Sequence, residues 1–155
     1  MRAVTAAAFT RPDYPDPTPP EAELVDELRG SAAWLPPLSM VATGPGGDTI
    51  TRGHVDSAPA LALAPLCVRP DQQRRGVGTA LMHAVLGAAD ALGEPLVALL
   101  GDPRYYARFG FRPSTEYGIL PPVPEWRPHF QVRALTGYHP SLRGTFRYSK
   151  PFDRL

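Results

Sequence analysis

Cysteine is nearly absent from this chain. Cys67 is the only one among 155 residues, so no intrachain disulfide can form and a reducing compartment fits. Lysine is as scarce: of sixteen basic residues all but Lys150 are arginine, which we read as a bias of composition rather than a functional signal. Net charge is missing too, at +1, so no strong attraction to nucleic acid or to an anionic membrane is expected. There is neither a secretory apolar core nor a run of about 20 apolar residues able to span a bilayer, and the expectation is a soluble, cytoplasmic protein. No internal repeat or heptad pattern appears. His54, His83, His129 and His139 are scattered, and no His/Cys/acid spacing matches a metal-ligand set. What these absences leave is a single domain over 1–155, long enough to bury a real core.

Proline is the residue in excess, with twenty, and it clusters. Pro12, Pro15, Pro17, Pro19 and Pro20 make 10–20 an extended loop; Pro121, Pro122, Pro124 and Pro128 around Trp126 make 117–128 a second irregular one. Elsewhere the patterning is regular. Residues 1–9 are Ala-rich and read as a short helix. Residues 21–28 read as another, with Glu21 and Glu23 at its start and Arg29-Gly30 at its end, as the helix dipole and a C-terminal glycine favour. Residues 38–43 and 49–55 read as strands joined by the turn Gly44-Pro45-Gly46-Gly47-Asp48, and Asp56-Ser57-Ala58-Pro59 turns into the next strand. Residues 129–135 alternate as a strand, and 145–148 suit a short last one.

The informative stretch is 61–111. Residues 61–68 carry one proline and no charge, as a buried strand does. After Arg69-Pro70 comes Asp71-Gln72-Gln73-Arg74-Arg75-Gly76-Val77-Gly78. A helical stripe follows at Val77, Leu81, Ala84, Val85, Ala88 and Leu92, closed by Gly93 and Pro95. Residues 96–100 make a second apolar strand. Asp102 suits the cap of a short helix that begins at Pro103 and ends at Gly110. The order is strand, glycine loop, helix, strand, short aromatic helix.

The loop suits an anion. The first amides of a helix have no partner inside it, and the macrodipole puts partial positive charge there. Gly76 and Gly78 let a ligand's oxygens approach the backbone, and Arg74 and Arg75 add charge with fork geometry suited to phosphate. A phosphate or pyrophosphate is therefore the expected ligand. Two better-known phosphate loops are excluded. A P-loop needs a lysine after its second glycine, where Thr79 follows Gly78; a dinucleotide fingerprint needs a third glycine where Leu81 stands.

Gln73-Arg74-Arg75-Gly76-Val77-Gly78 resembles the Gln/Arg-x-x-Gly-x-Gly/Ala signature of the GNAT superfamily of acyl-CoA-dependent N-acetyltransferases. Gly101 to Phe111, with Tyr106, Gly110 and Phe111, resembles the Tyr-x-x-x-Gly-Phe segment after the fifth strand of that superfamily. Both segments stand in the family's order, and the stretch 61–111 that holds them is about a third of the chain. The resemblance implies an α/β fold with a central mixed, twisted sheet flanked by helices. It also implies acetyl-CoA as co-substrate, no metal, and the amine of a small molecule or peptide as acceptor. The family's first strand has no counterpart here: either the start lies downstream of the natural one, or the sheet lacks its first edge strand. Dimers are common among relatives, and a homodimer is compatible with this chain, but no residue pattern specifies one.

Carried over residue by residue, the resemblance puts the pantetheine arm in a gap between strands 61–68 and 96–100, paired with backbone at Leu66, Cys67 and Val68. It puts the pyrophosphate on Gln73, Arg74, Arg75, Gly76, Val77, Gly78 and Thr79, counts Asp102 with the coenzyme contacts, and makes Tyr106 the acid that meets the departing sulfur. Blander readings stand beside these. Tyr106 can be core packing, Arg74 and Arg75 solvated charges, and Cys67 a small buried thiol with no histidine near it in sequence. Tyr105 reads as structural, and no general base is identifiable. The carboxylates Glu21, Glu23, Asp26 and Glu27 suit a cationic amine or merely a solvated helix face. Two functions follow: an active N-acetyltransferase, or a non-catalytic acyl-CoA-binding module of the same fold.

Overall fold

The computed structural model describes residues 2–10, 18–42 and 46–154. Its elements are α1 (Arg2–Phe9), α2 (Pro20–Arg29), β1 (Trp34–Ala42), β2 (Gly46–Val55), β3 (Ala58–Leu63), β4 (Cys67–Val68), α3 (Val77–Ala91), β5 (Leu96–Leu100), α4 (Pro103–Tyr106), β6 (Arg112–Pro113), β7 (Ile119–Leu120), β8 (Phe130–Ala134) and β9 (Gly144–Arg147). The strands form one mixed sheet in the order β6-β8-β5-β3-β2-β9-β7, with β1 and β4 also paired to β2. β3 and β5 are parallel, and so need a crossover, which α3 supplies.

Both faces of the central pair are covered, which is why its sequence is apolar throughout rather than alternating. Leu61 and Leu63 of β3 and Val97 and Leu99 of β5 pack under Met82, Val85, Leu86 and Ala89 of α3, with Phe109 and Phe111. Ala60, Ala62, Leu96 and Ala98 face the other way, toward Phe130, Val132, Phe146 and Ile119. The buried face of α3 is offset from the expected stripe. Leu81 and Val85 are shared, but Met82, Leu86 and Ala89 are buried while Leu92 is 56% exposed and Ala84 is exposed. The helix is apolar nearly all round, so several stripes read alike, and the larger Met82 and Leu86 decide which one turns inward.

The apolar run 61–68 is not one strand. It divides into β3 and β4 around Ala64, Pro65 and Leu66, with a cis Ala64–Pro65 bond. Both pieces pair with β2, Leu63 opposite Ile50 and Cys67 opposite Gly47. Four steps along one strand thus match three along its partner, so one residue is extra and the chain bulges. Pro65 has no N–H to give a ladder, which suits it to this break.

Three further expectations change in detail. Gly46 to Asp48 lie inside β2 rather than in the turn; the rest of that turn, 44–45, the last residue of the expected strand 38–43 and most of the loop 10–20 fall outside the described residues. The turn into β3 is only Asp56-Ser57, with Asp56 left-handed at φ 50° and Val55 already opposite Ala58. The Asp56 carboxylate accepts the Thr145 N–H at 2.9 Å, tying this hairpin to β9. Finally, 117–128 is not wholly irregular, because Ile119 and Leu120 form β7 alongside Gly144 and Thr145. Helices 2–9 and 20–29 and strands 130–134 and 144–147 form close to where expected.

Among the described residues no strand precedes α1, and β1 pairs with β2 alone. α1 packs instead across β4, with the buried Thr5 hydroxyl 3.5 Å from the Cys67 sulfur. On the other side of the sheet Arg52 holds Glu94 through two bonds of 2.6 Å, joining β2 to the turn after α3. Among the described residues no helix is long and apolar enough to cross a membrane.

Where β2 meets β9, Gly53 has no room for a side chain: a Cβ there would stand 2.6 Å from Phe146 Cζ and 3.0 Å from the Arg147 carbonyl. Gly53→Ala is expected to destabilise the protein by about 1–3 kcal/mol. A lower urea midpoint at unchanged slope would show it, and an unchanged midpoint would refute it.

Candidate active site

The parallel pairing of β3 with β5 is confined to Leu61–Val97 and Ala62–Ala98. Beyond it β4 stays with β2 while β5 continues beside β8, so the two strands part. A cleft of about 400 Å³ lies on the β4 side. Its walls are Leu66 and Val68 from the strand, Gln72 to Arg74 and Gly76 to Thr79 from the loop and the start of α3, and Tyr105 and Tyr106 from α4. The strand end, the glycine loop and the aromatic helix, separate in sequence, border one space.

The loop is built to present backbone. Residues 70–72 make one 3₁₀ turn, Arg74 is left-handed at φ 59°, and Gly76 is left-handed at φ 82° at the N-cap of α3. A left-handed arginine is uncommon, and such conformations cluster at functional sites. The first intrahelical bond runs from the Ala80 amide to the Gly76 carbonyl at 2.9 Å, and no side chain caps the helix. The amides of Val77, Gly78 and Thr79 therefore have no acceptor among the described residues. At Gly78 a Cβ would stand 3.2 Å from the Tyr105 hydroxyl and 3.5 Å from Val68 Cγ2, so a side chain there narrows the cleft.

The charge around the loop is positive. Arg69 is paired with Asp71, and the Asp71 carboxyl is held below its usual range by hydrogen bonds from Gln72 and then Arg69. Arg75 donates to the neutral Gln72 Oε1 at 2.6 Å, and Arg74 makes no hydrogen bond or ion pair among the described residues. Two arginine charges thus stay uncompensated beside three open amides. Gln73 donates to the Val68 carbonyl at 3.1 Å and fixes the loop to β4.

Tyr106 is placed by a chain of backbone constraints. The Asp102 carboxylate accepts the Arg104 N–H at 2.9 Å and starts α4; its own pKa is lowered by hydrogen bonds from Arg104. Gln131 of β8, buried, donates to the Gly101 carbonyl at 3.0 Å, and the Gly101 amide donates to the His129 carbonyl at 3.0 Å. The Tyr106 ring lies against Gly101, where a Cβ would come within 2.9 Å of its Cδ2. It packs edge-on to Tyr105 at 4.9 Å and Phe111 at 5.9 Å. Burial, with a smaller contribution from Tyr105, pushes the Tyr106 phenol up to about 12, so it is protonated at neutral pH.

Of the residues expected at the site, Leu66, Val68, Gln73, Arg74, Gly76, Val77, Gly78, Thr79 and Tyr106 line the cleft. Three do not. Cys67 is buried under α1, Arg75 borders a neighbouring groove with Met40 and Ala80, and Asp102 faces another with Trp126 and His129. Gln72 and Tyr105 line the cleft without having been expected there. The signal for Tyr105 was its adjacency to Tyr106 on so short a helix; nothing in the pattern marked Gln72. Among the described residues no group of three or more His, Cys, Asp or Glu could hold a metal ion.

A model of the acetyltransferase (GNAT) domain matches residues 40–113, the span holding both motifs. The uncharacterised N-acetyltransferase YjhQ of Escherichia coli K12 is 32% identical over 143 residues, covering 84% of this chain and 79% of its own length. The uncharacterised N-acetyltransferase YhbS of the same strain is 30% identical over 148 residues, covering 86% and 84%. The chain belongs to the GNAT family of acetyltransferases. Solved GNAT members have its architecture. The crystal structure of YhbS in complex with CoA matches with a TM-score of 0.86 at 26% identity, over 99% of this chain and 85% of that one. A GNAT acetyltransferase from Brucella melitensis in complex with acetyl-CoA matches with a TM-score of 0.78 at 30% identity, over 99% and 90%. The protein is thus an acyltransferase with the mixed sheet and flanking helices of its family.

The Tyr106 phenol has a consequence for stability. Its pKa is about 12 in the folded chain against an ordinary 10.0, so the unfolded chain gives up the proton first. This contribution is fully present below pH 10 and is lost as pH rises toward 12. Tyr148, also raised by burial, acts in the same direction. Urea midpoints measured on either side of pH 10 are expected to fall with pH, and less steeply in Tyr106→Phe. An equal slope in the two proteins would refute the assignment.

Proposed function

We propose that the protein transfers an acetyl group from acetyl-CoA to a primary amine of a small molecule or peptide, by direct attack within a ternary complex. The observation that carries this reading is the single cleft bordered by the open amides of α3, the splayed end of β4 and the Tyr106 phenol. Coenzyme complexes of the Escherichia coli and Brucella melitensis relatives support the choice of donor.

The donor's features fit the residues present. Its pyrophosphate suits the amides of Val77, Gly78 and Thr79, the left-handed turn at Arg74 and Gly76, and the uncompensated charge of Arg74 with Arg75 beside it. Its pantetheine arm suits the backbone at Leu66, Cys67 and Val68; the buried Cys67 thiol takes no part. Asp102 acts at one remove, by starting the helix that carries Tyr106.

In the reaction the amine nitrogen bonds to the thioester carbonyl carbon, the carbon–sulfur bond breaks, and sulfur leaves with its electron pair. The proton lost by nitrogen ends on sulfur. Holding both reactants in place supplies several kcal/mol of the rate without side-chain chemistry. Tyr106 serves the departing sulfur. A thiol has an ordinary pKa of about 8.5, and a thiolate is a weaker base than a phenolate whose acid sits near 12. Tyr106 therefore stabilises the leaving thiolate chiefly as a hydrogen-bond donor, with the net proton arriving through water.

Tyr106→Phe is expected to bind acetyl-CoA as the unsubstituted protein does and to release thiol about a hundredfold more slowly. Turnover at the original rate would sink the assignment. Gly78→Val, which puts branched carbon between Val68 and the Tyr105 hydroxyl, is expected to weaken acetyl-CoA binding at least tenfold while leaving the fold intact. Calorimetric titration beside a circular dichroism melt checks both halves of that statement.

A further inference from the structure

We propose that the accepted amine carries an apolar body about the size of an aromatic ring, and that Glu21 together with the aromatic wall behind it selects this class. The inference rests on the acetyl-transfer reading above.

A second cavity, of about 460 Å³, opens at the same parting of β3 and β5. Leu63 and Ala64 form one wall of it, two residues before Leu66 enters the coenzyme cleft, and Leu100 at the end of β5 forms another. The cavity and the cleft thus flank the stretch of backbone around Ala64–Pro65–Leu66 where β3 and β5 part. An acceptor lodged in the cavity lies beside that gap, and an ammonium held there gives up one proton to water before its neutral nitrogen attacks the thioester.

The rest of the lining is chemically specific. Trp126, Tyr148 and Phe152 supply aromatic surface, with the Tyr148 ring 4.7 Å from Phe152 and 6.3 Å from Trp126. Phe146 backs Tyr148 at 5.1 Å, so this wall is a packed aromatic surface that favours a flat, apolar guest. Glu21 lines the cavity too, its single carboxylate among the described residues, and the Tyr148 hydroxyl belongs to the wall itself. Neither makes a hydrogen bond or ion pair among the described residues. An unpaired carboxylate at an apolar, aromatic-lined cavity selects a cation, and ring faces add to that preference. The dipole of α2 does not by itself account for Glu21, because Glu23 in the same first turn serves that purpose from an exposed position.

The test uses three probes that separate charge from body: 2-phenylethylamine, the neutral 2-phenylethanol, and the small polar ethanolamine. Trp34→Phe leaves Trp126 as the only tryptophan, so its emission reports the cavity directly; calorimetry on the unsubstituted chain repeats the measurement should that variant fold poorly. We expect saturable binding of 2-phenylethylamine, about tenfold tighter than 2-phenylethanol, the factor of a partly desolvated ion pair. Glu21→Gln is expected to close that gap while leaving the alcohol's affinity and the binding of acetyl-CoA unchanged. Thiol release from acetyl-CoA is expected to favour 2-phenylethylamine over ethanolamine at least tenfold in kcat/KM, with the effect of Glu21→Gln in the KM for the amine. Equal binding of amine and alcohol overturns the inference. So does transfer that prefers ethanolamine, an outcome that leaves the acetyl-transfer reading standing. If acetyl-CoA fails to bind at all, the acetyl-transfer reading falls and takes the acceptor assignment with it.

Discussion

One extra residue in a strand governs the rest of this structure. β3 and β4 follow the same partner, β2, but between Leu63 and Cys67 the count runs four against three. The surplus around Ala64–Pro65–Leu66 ends the parallel ladder with β5 after two pairs, and the sheet opens. A sheet paired to its end would bury its backbone groups in ladder bonds. Here the end of β4 is left beside a cleft, with a loop on one side and an aromatic helix on the other. Bulges of this kind terminate pairing and re-aim side chains near active sites.

The remaining elements hold that opening at fixed width. α3 starts at the cleft and is anchored by Met82, Val85 and Leu86 against β3 and β5, so the direction of its first amides follows from core packing. α4 is held from below by the buried Gln131 and from its start by Asp102. The polar groups facing the cleft are mostly backbone amides, with Arg74, two glutamines and two phenols. That division suits transfer between two bound partners: most of the work is alignment, and little falls to ionised side chains.

The sequence made the loop, the aromatic helix and their order legible because both rest on short-range rules. Glycine tolerates positive φ, a helix start leaves amides open, and Asp before Pro opens a helix. Those rules put Gly76 and Asp102 at helix starts and Gly110 at a helix end, where the structure has them. They failed where the outcome depends on a partner strand. Residues 61–68 read as one apolar run, since nothing local reports that β2 would oppose four residues with three. Gly46 to Asp48 read as a turn for the same reason: glycine signals a bend, and only pairing with β1 and β4 makes it strand. The stripe on α3 was misjudged because an alanine-rich helix has several apolar faces and the sheet selects one. The cavity at Glu21 was out of reach, because its walls come from α2, β3, β5 and the chain's last residues.

The burial of Cys67 changes what its chemistry reports. The thiol sits at the strand end beside the cleft, yet it faces away from that space and lies beneath α1, against Thr5. A maleimide or disulfide reagent would therefore be indifferent to whether the cleft is filled. Its rate of reaction would instead time how often the N-terminal helix lifts from the sheet, which makes the chain's lone sulfhydryl a clock for local opening.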